Sequence, residues 1–215
     1  MLLQIRTLSN LTDDADAICV AQTKTGAGYL TLDGVAVSTS YETNGVAVLG
    51  GAQIVRIISA GDDSGVTFTV TGKNENHNTI SEDVTGANIN TALTTKYFET
   101  VDSIYASGTT DGDVQVGAVS QADSILSSTI CPNTRAQDFS IGMSVDITGT
   151  MTVSVQQTVD NVFDSSVTPV WSNTVGLTGI TSSNVGNIAF PVTGVRLLIT
   201  SYTSGSATLN LLQAG

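Results

Sequence analysis

Charge is scarce in this sequence. Charged residues are 12% of 215, about half the usual share of a soluble domain. Helix formers such as Glu, Lys and Arg are correspondingly few, and no apolar run follows a helical period for long. Lys and Arg together number seven and form no basic cluster, so a nucleic-acid backbone has nothing to attract it. There is one histidine and there are two cysteines, too few for a zinc site built on those ligands. No stretch of about 18 apolar residues exists, and no membrane contact is expected. The N-terminus, MLLQIRTLSN, has neither the apolar core nor the small-residue cleavage site of a signal peptide. The expectation is a protein made in the cytosol and held there until it assembles. Cys19 and Cys131 match no C-x-x-C spacing and read as buried free thiols rather than as a disulfide.

Glycine (21 residues), serine, threonine and valine fill the space that charge leaves. Branched side chains suit a pleated, half-buried surface, and glycine suits turns. The polarity lies in hydroxyls and amides. That fits strands whose outer face meets water or a neighbouring subunit. The size scaling predicts that a chain of this mass buries about 70% of its unfolded surface, so neither metals nor disulfides are required. Net charge is −12. Residues 1–119 hold fourteen acidic and five basic side chains, net −9, and residues 120–215 hold five and two, net −3. The charge-poor second part has more surface suited to an interface.

Along the chain, strand signals recur every 8–12 residues with no helical run between them. Residues 1–17, with Asp13, Asp14 and Asp16, read as an arm or irregular lead-in. Tyr29–Leu32 ends at the turn Asp33-Gly34. Gly45–Leu49 and Gln53–Ser59 flank Gly50-Gly51. Val66, Phe68 and Val70 alternate with Thr67, Thr69 and Thr71. Lys73–Asn78 (KNENHN) is a hairpin loop, after which Thr79–Thr85 returns beside Val66–Thr71. Lys96–Ser107 and Val114–Val119 are strands separated by Asp111-Gly112. Periodicity fails across 120–140, and a boundary is expected near 118–125. Beyond it, Met143–Ile147 and Met151–Val159 predict a hairpin turning at Thr148-Gly149-Thr150. A loop carrying Pro169 and Trp171 follows, and 172–189 is a long loop with one short strand. A last hairpin, Val195–Tyr202 with Ala207–Gln213, turns at Ser204-Gly205-Ser206. The expected fold is all-β: two antiparallel β-sandwich units, Ig-like or jelly-roll, at 18–119 and 120–215.

Chemistry is hard to find. Nucleophilic catalysis needs a base beside the nucleophile, and His77 reads as an exposed turn residue in KNENHN. Ser64 lacks the spacing of a nucleophile elbow. Gly26-Ala27-Gly28 has Thr31 where a dinucleotide loop needs its third glycine, and no helix follows. Asp62-Asp63 and Asp111-Gly112-Asp113 contain oxygen ligands suited to Ca²⁺, but they read as ordinary turns. A glycosidase carboxylate pair has no specific support. Trp171 reads as a core lid or subunit contact ahead of a glycan platform. Asn10-Leu11-Thr12 is a glycosylation sequon without a secretory context. No catalytic, cofactor or metal residue is assigned, and no cofactor is expected.

The stretch from Ser59 to Gly72 (SAGDDSGVTFTVTG) resembles a group of tailed-bacteriophage structural proteins. So do Glu82–Gly86 (EDVTG) and Lys96–Val101 (KYFETV). The likeness continues through Val155–Asp160, Val162–Asp164, Phe190–Val192 and Ile199–Gly205, spanning most of residues 15–215. It implies a virion setting and assigns no residue a catalytic or binding role. For want of a base, a nucleophile motif or a metal site in the sequence, the expected function is non-enzymatic. The first reading is a capsid decoration or cement protein, a homo-oligomer with a trimer favoured, bound to the major capsid protein or another virion protein, with residues 1–17 as its arm. A tail or head–tail joining component is the second reading, and a glycan-binding adhesion module the third.

Overall fold

The computed structural model describes residues 2–9, 14–38, 45–119, 125–133, 140–164 and 166–213. The Asn10-Leu11-Thr12 sequon, Asp13 and positions 120–124 of the expected boundary lie outside them. Among the described residues there are fourteen strands and no helix. In chain order the strands are β1 (Leu2–Ser9), β2 (Asp14–Gln22), β3 (Gly28–Tyr29), β4 (Val37–Ser38), β5 (Val46–Ser59), β6 (Thr67–Lys73) and β7 (Thr79–Thr85). They continue with β8 (Thr91–Ala106), β9 (Val114–Val119), β10 (Ile125–Leu126), β11 (Ile141–Thr158), β12 (Ser172–Asn173), β13 (Asn184–Ile188) and β14 (Gly194–Gln213). Within each of the chain's two compact units the described strands pair antiparallel. The fold is all-β and of β-sandwich type.

The chain divides into two compact units. One is Leu11–Ser120, and the other joins Met1–Asn10 to Gln121–Gly215. The described parts of 1–17 are therefore no free arm. Leu2–Ser9 is a strand paired residue for residue with Ser206–Gln213, and Asp14–Ala17 open β2. The partner of β1 lies about 200 positions away, beyond the reach of any local pattern.

In the Leu11–Ser120 unit, β5 and β8 form a long antiparallel pair. β9 lies on the other side of β5, along Ile54–Ser59, and β6 lies on the other side of β8, along Thr100–Ala106. The β6–β7 hairpin forms as the alternation predicts. Phe68 and Val70 are buried while Thr67, Thr69 and Thr71 face outward. There Thr69 Oγ1 donates to Asp83 Oδ1 (2.7 Å), and Thr71 and Ser81 share a hydroxyl hydrogen bond. The core takes residues from both halves of the long strands: Leu49, Val55 and Ile57 of β5, and Phe98, Val101 and Ile104 of β8.

The other unit uses the same device on a larger scale. β11 and β14 pair from Ile141↔Gln213 to Thr158↔Gly194. β13 lies along Ile141–Val145 and β12 along Gln156–Gln157. On the far side of β14 are β1 and, beside Leu198–Ile199, β10. The two expected hairpins do not exist. Thr148-Gly149-Thr150 and Ser204-Gly205-Ser206 lie inside continuous strands, and Gly149 faces Gly205. Both take positive φ, 87° and 98°, which side chains disfavour. Both are also sterically closed: a Cβ on Gly205 would stand 1.7 Å from Thr148 O, and one on Gly149 2.4 Å from Ser204 O. A glycine at positive φ can reverse a chain or bend it, and here it bends it. The inward residues keep odd numbers through both bends, so parity alone cannot distinguish the two outcomes. The bend turns both halves of each strand toward one interior. Leu177 lies under Gly186 of β13, and its carbonyl accepts from Val155 N near the opposite end of β11.

Candidate interaction surface

β11 ends and β14 begins at one place, where Thr158 faces Gly194. Residues 159–171 and 189–193 leave the sheet there. Thr193 Oγ1 donates to Thr158 O (3.1 Å) and to Asp160 O, tying the two connections together. The longer one is fixed by its own polar side chains. Asp160 Oδ2 accepts from Val170 N (2.6 Å), Asn161 Oδ1 from Phe163 N (3.1 Å), and Asp164 Oδ1 from Ser166 N (2.9 Å) and Ser166 Oγ (2.6 Å). The Asn161 and Asp164 bonds form Asx-type turns, in which a short side chain substitutes for a backbone acceptor, and the Asp160 bond closes the loop across ten residues. The Ser166 hydroxyl, and then its amide, hold the Asp164 carboxyl below its ordinary pKa.

The loop has an inward and an outward set of apolar residues. Val162 and the Trp171 ring edge close over Gly194, where a Cβ would meet Trp171 Cη2 at 3.0 Å. Arg196 lies over the Trp171 ring, with its guanidinium carbon 4.0 Å from the centroid, and its Nε donates to Gln156 Oε1 (3.0 Å). This is cation–π stacking. Trp171 is thus packed and partly covered, and one face is denied to a sugar ring. Outward, Phe163 is 77% exposed and Val170 74%, with Val159 and Phe190 also exposed. Large apolar side chains on a loop with fixed turns have the properties of a docking anchor: little rotamer freedom to lose and much apolar area to bury.

The sequence singled out Trp171 but not Phe163, Val170 or Arg196 as surface features. The available signal was Asn161 and Asp164 bracketing Phe163, two turn-forming residues around an exposed aromatic. Arg196, 25 positions after Trp171, carried no local signal.

The remaining candidates fall into turns and core. His77 is in the β6–β7 turn at φ 59°, with Nδ1 3.3 Å from Glu99 Oε2. Ser64 Oγ donates to Asp62 Oδ1 (2.7 Å), so it caps a turn. Asp62, Asp63 and Asp111 do come together, by accepting backbone amides. Asp63 Oδ1 takes Asp111 N (2.8 Å), and Asp111 Oδ2 takes Asp62 N (3.3 Å). Among the described residues no group of three or more His, Cys, Asp or Glu is arranged to hold a metal ion. Cys19 is buried in β2 and Cys131 is half-buried, and both are free thiols. Burial pushes both thiols up. Asp33 adds to the rise at Cys19, and Arg6 opposes it at Cys131.

No protein-family model matches the chain, and no curated protein matches it. Among solved structures, allantoicase from Saccharomyces cerevisiae is similar over 93% of this chain and 92% of that one, at 11% identity and a TM-score of 0.27. At that TM-score the likeness carries no argument about this chain's fold or chemistry.

Proposed function

We propose that this chain is a non-enzymatic structural component of a tailed-phage virion, acting as a capsid decoration or cement protein through subunit contacts. The observation that carries the reading is the stitched loop 159–171. It presents Phe163 and Val170 to solvent on turns closed by Asn161 and Asp164, at the end of a unit whose outward β11 and β14 positions are mostly hydroxyls and amides, with Asp146 and Arg196 as charged exceptions. A loop of this kind binds by burying apolar area in a partner's pocket and needs no reactive group. Asp160 and Asp164 flank the anchors, so a shell pocket rimmed by basic side chains is the complementary partner. The resemblance around SAGDDSGVTFTVTG supplies the virion setting. The expected arm is replaced as the contact element, because Leu2–Ser9 belongs to a sheet.

Cryo-electron microscopy of the intact virion tests the reading. Density for this chain repeated with the capsomers, with Phe163 seated in a neighbour, is the expected result. Density confined to the tail axis moves the chain to the joining class. A virion without the chain overturns the proposal. Phe163→Ser should weaken binding to shells while leaving the melting temperature unchanged.

A further inference from the structure

β1 is an edge. Among the described residues Leu2–Ser9 pairs only with β14, in unbroken register with no bulge. An edge strand presents unpaired backbone donors and acceptors, and proteins usually blunt such edges with Pro, Lys, a bulge or an inward-pointing charge. β1 has no Pro and no Lys. Its one charge, Arg6, lies on the inward-facing side with Gln4, with Nη1 donating to Ile5 O (2.9 Å), and antiparallel pairing centred on Ile5 sets it opposite Gln4 rather than a like charge. Arg6 and Gln4 alternate with Leu3 and Ile5, which are 56% and 48% exposed. Leu212 of β14, opposite Leu3, is exposed as well. The outward face of β1, Leu3, Ile5 and Thr7, is therefore uncharged and mostly apolar on a chain of net charge −12. Two such acidic chains repel one another over most of their surface, so self-contact favours a charge-free strip.

We infer that β1 pairs antiparallel with β1 of a second copy of this chain across a twofold axis at Ile5. Centring on Ile5 lets residues 2–8 of each strand pair with one another, and places Leu3 opposite Thr7 of the second copy. The contact is isologous, so one surface serves both partners. Each strand gains a ladder of backbone hydrogen bonds, and the exposed Ile5 side chains meet at the axis. The two sheets become one continuous sheet. The area is modest: a single strand edge falls below the roughly 1,200 Å² of a standard stable interface. Pairing is therefore concentration-dependent, weak in dilute solution and effective where many copies are held close together. The inferred contact is twofold, where the sequence favoured a trimer. The inference goes beyond the proposed function and rests on it only for its biological setting.

Sedimentation velocity of the full chain across a wide concentration range tests it. The expected result is a reversible monomer–dimer equilibrium. Ile5→Lys, which brings two like charges together at the axis, should raise the dimer dissociation constant at least about tenfold with an unchanged melting temperature. If that variant fails to fold, Thr7→Lys on the same exposed face serves in its place. Ile5→Cys in a Cys131→Ser background should cross-link to itself on oxidation, because directly opposed Cα atoms lie within disulfide reach. A wild-type chain that stays monomeric at every concentration overturns the inference, as does a dimer indifferent to Ile5→Lys or an Ile5→Cys dimer that never cross-links. None of these readouts involves a virion. Absence from the virion would sink the proposed function and leave the dimer standing.

Discussion

The two units bend their long strands by different means. In the Leu11–Ser120 unit, Val48 faces Thr100 and Gln53 faces Phe98. Four residues of β5, Leu49 to Ala52, thus oppose a single residue of β8. That excursion is buried at Leu49, Ala52 and Gln53, and Gln53 Nε2 donates back to Leu49 O. Gly50, at φ 69°, lets the chain fold over itself. In the other unit the excess is one residue at a time: β14 gains single residues opposite Thr150/Met151 and Thr152/Val153. Gly149 faces Gly205, and Thr148–Thr150 and Thr203–Gly205 stay in solvent. One corner is held by packing and the other by backbone conformation. Substitutions should separate them.

The largest effect is expected at the packed corner. Leu49→Ala removes a buried side chain and should cost about 2–4 kcal/mol in chemical denaturation. Thr150→Ala at the exposed corner should stay within about 0.5 kcal/mol. Equal losses at both sites would erase the distinction. Next comes the backbone of the exposed corner. Gly205→Ala combines a disfavoured φ with a Cβ forced onto Thr148 O, and should cost about 2 kcal/mol or more. The neighbouring Ser204→Ala, free of both constraints, should be nearly silent.

Smaller effects compare matching features of the two units. Asp62-x-Ser64 and Asp164-x-Ser166 form the same turn, in which one carboxylate oxygen accepts both the serine hydroxyl and its amide. Those bonds hold both carboxyls below the ordinary range. The folded value lies below the unfolded one in each case. Any stabilisation is therefore present above the unfolded value and lost as pH falls through the folded one. NMR titration should show both aspartates titrating low, and Ser64→Ala and Ser166→Ala should move each back up. The thiols provide the last comparison. At neutral pH a thiol reagent should modify half-buried Cys131 first and reach Cys19 only on unfolding, as read by mass spectrometry. Simultaneous labelling would mean that β2 opens as readily as the segment carrying Cys131.

The strands were legible where one short pattern decides the outcome. Thr67–Thr71 alternates hydroxyl with apolar, KNENHN turns, and Thr79–Thr85 returns beside it, all within twenty residues. The scarcity of helix formers similarly pointed to an all-β chain. Gly50, Gly149 and Gly205 mark the limit of that kind of reading. Each reads locally as the end of a strand, and each instead carries a strand around a corner. Glycine at positive φ serves either role, and the choice depends on which distant strand lies alongside. β1 is the same case: Leu2–Ser9 is a strand because Ser206–Gln213 pairs with it. At the candidate surface Trp171 was legible as a rare residue in a loop. Its cover by Arg196 and the outward set of Phe163 and Val170 were not, since exposure is a property of the assembled chain.

Composition and alternation by themselves determined the all-β class, the inward and outward faces of Val66–Thr71, Met143–Val145 and Met151–Val155, and the tight β6–β7 turn. Those follow from side-chain branching, a period of two and local turn chemistry, which act over a few residues. Tertiary structure alone decided that the first ten residues belong with the last ninety-five, that three glycine sites bend rather than reverse the chain, and which apolar residues meet solvent. Strand pairing is non-local: a backbone donor finds its acceptor wherever packing brings a partner strand, and no short window of sequence contains both.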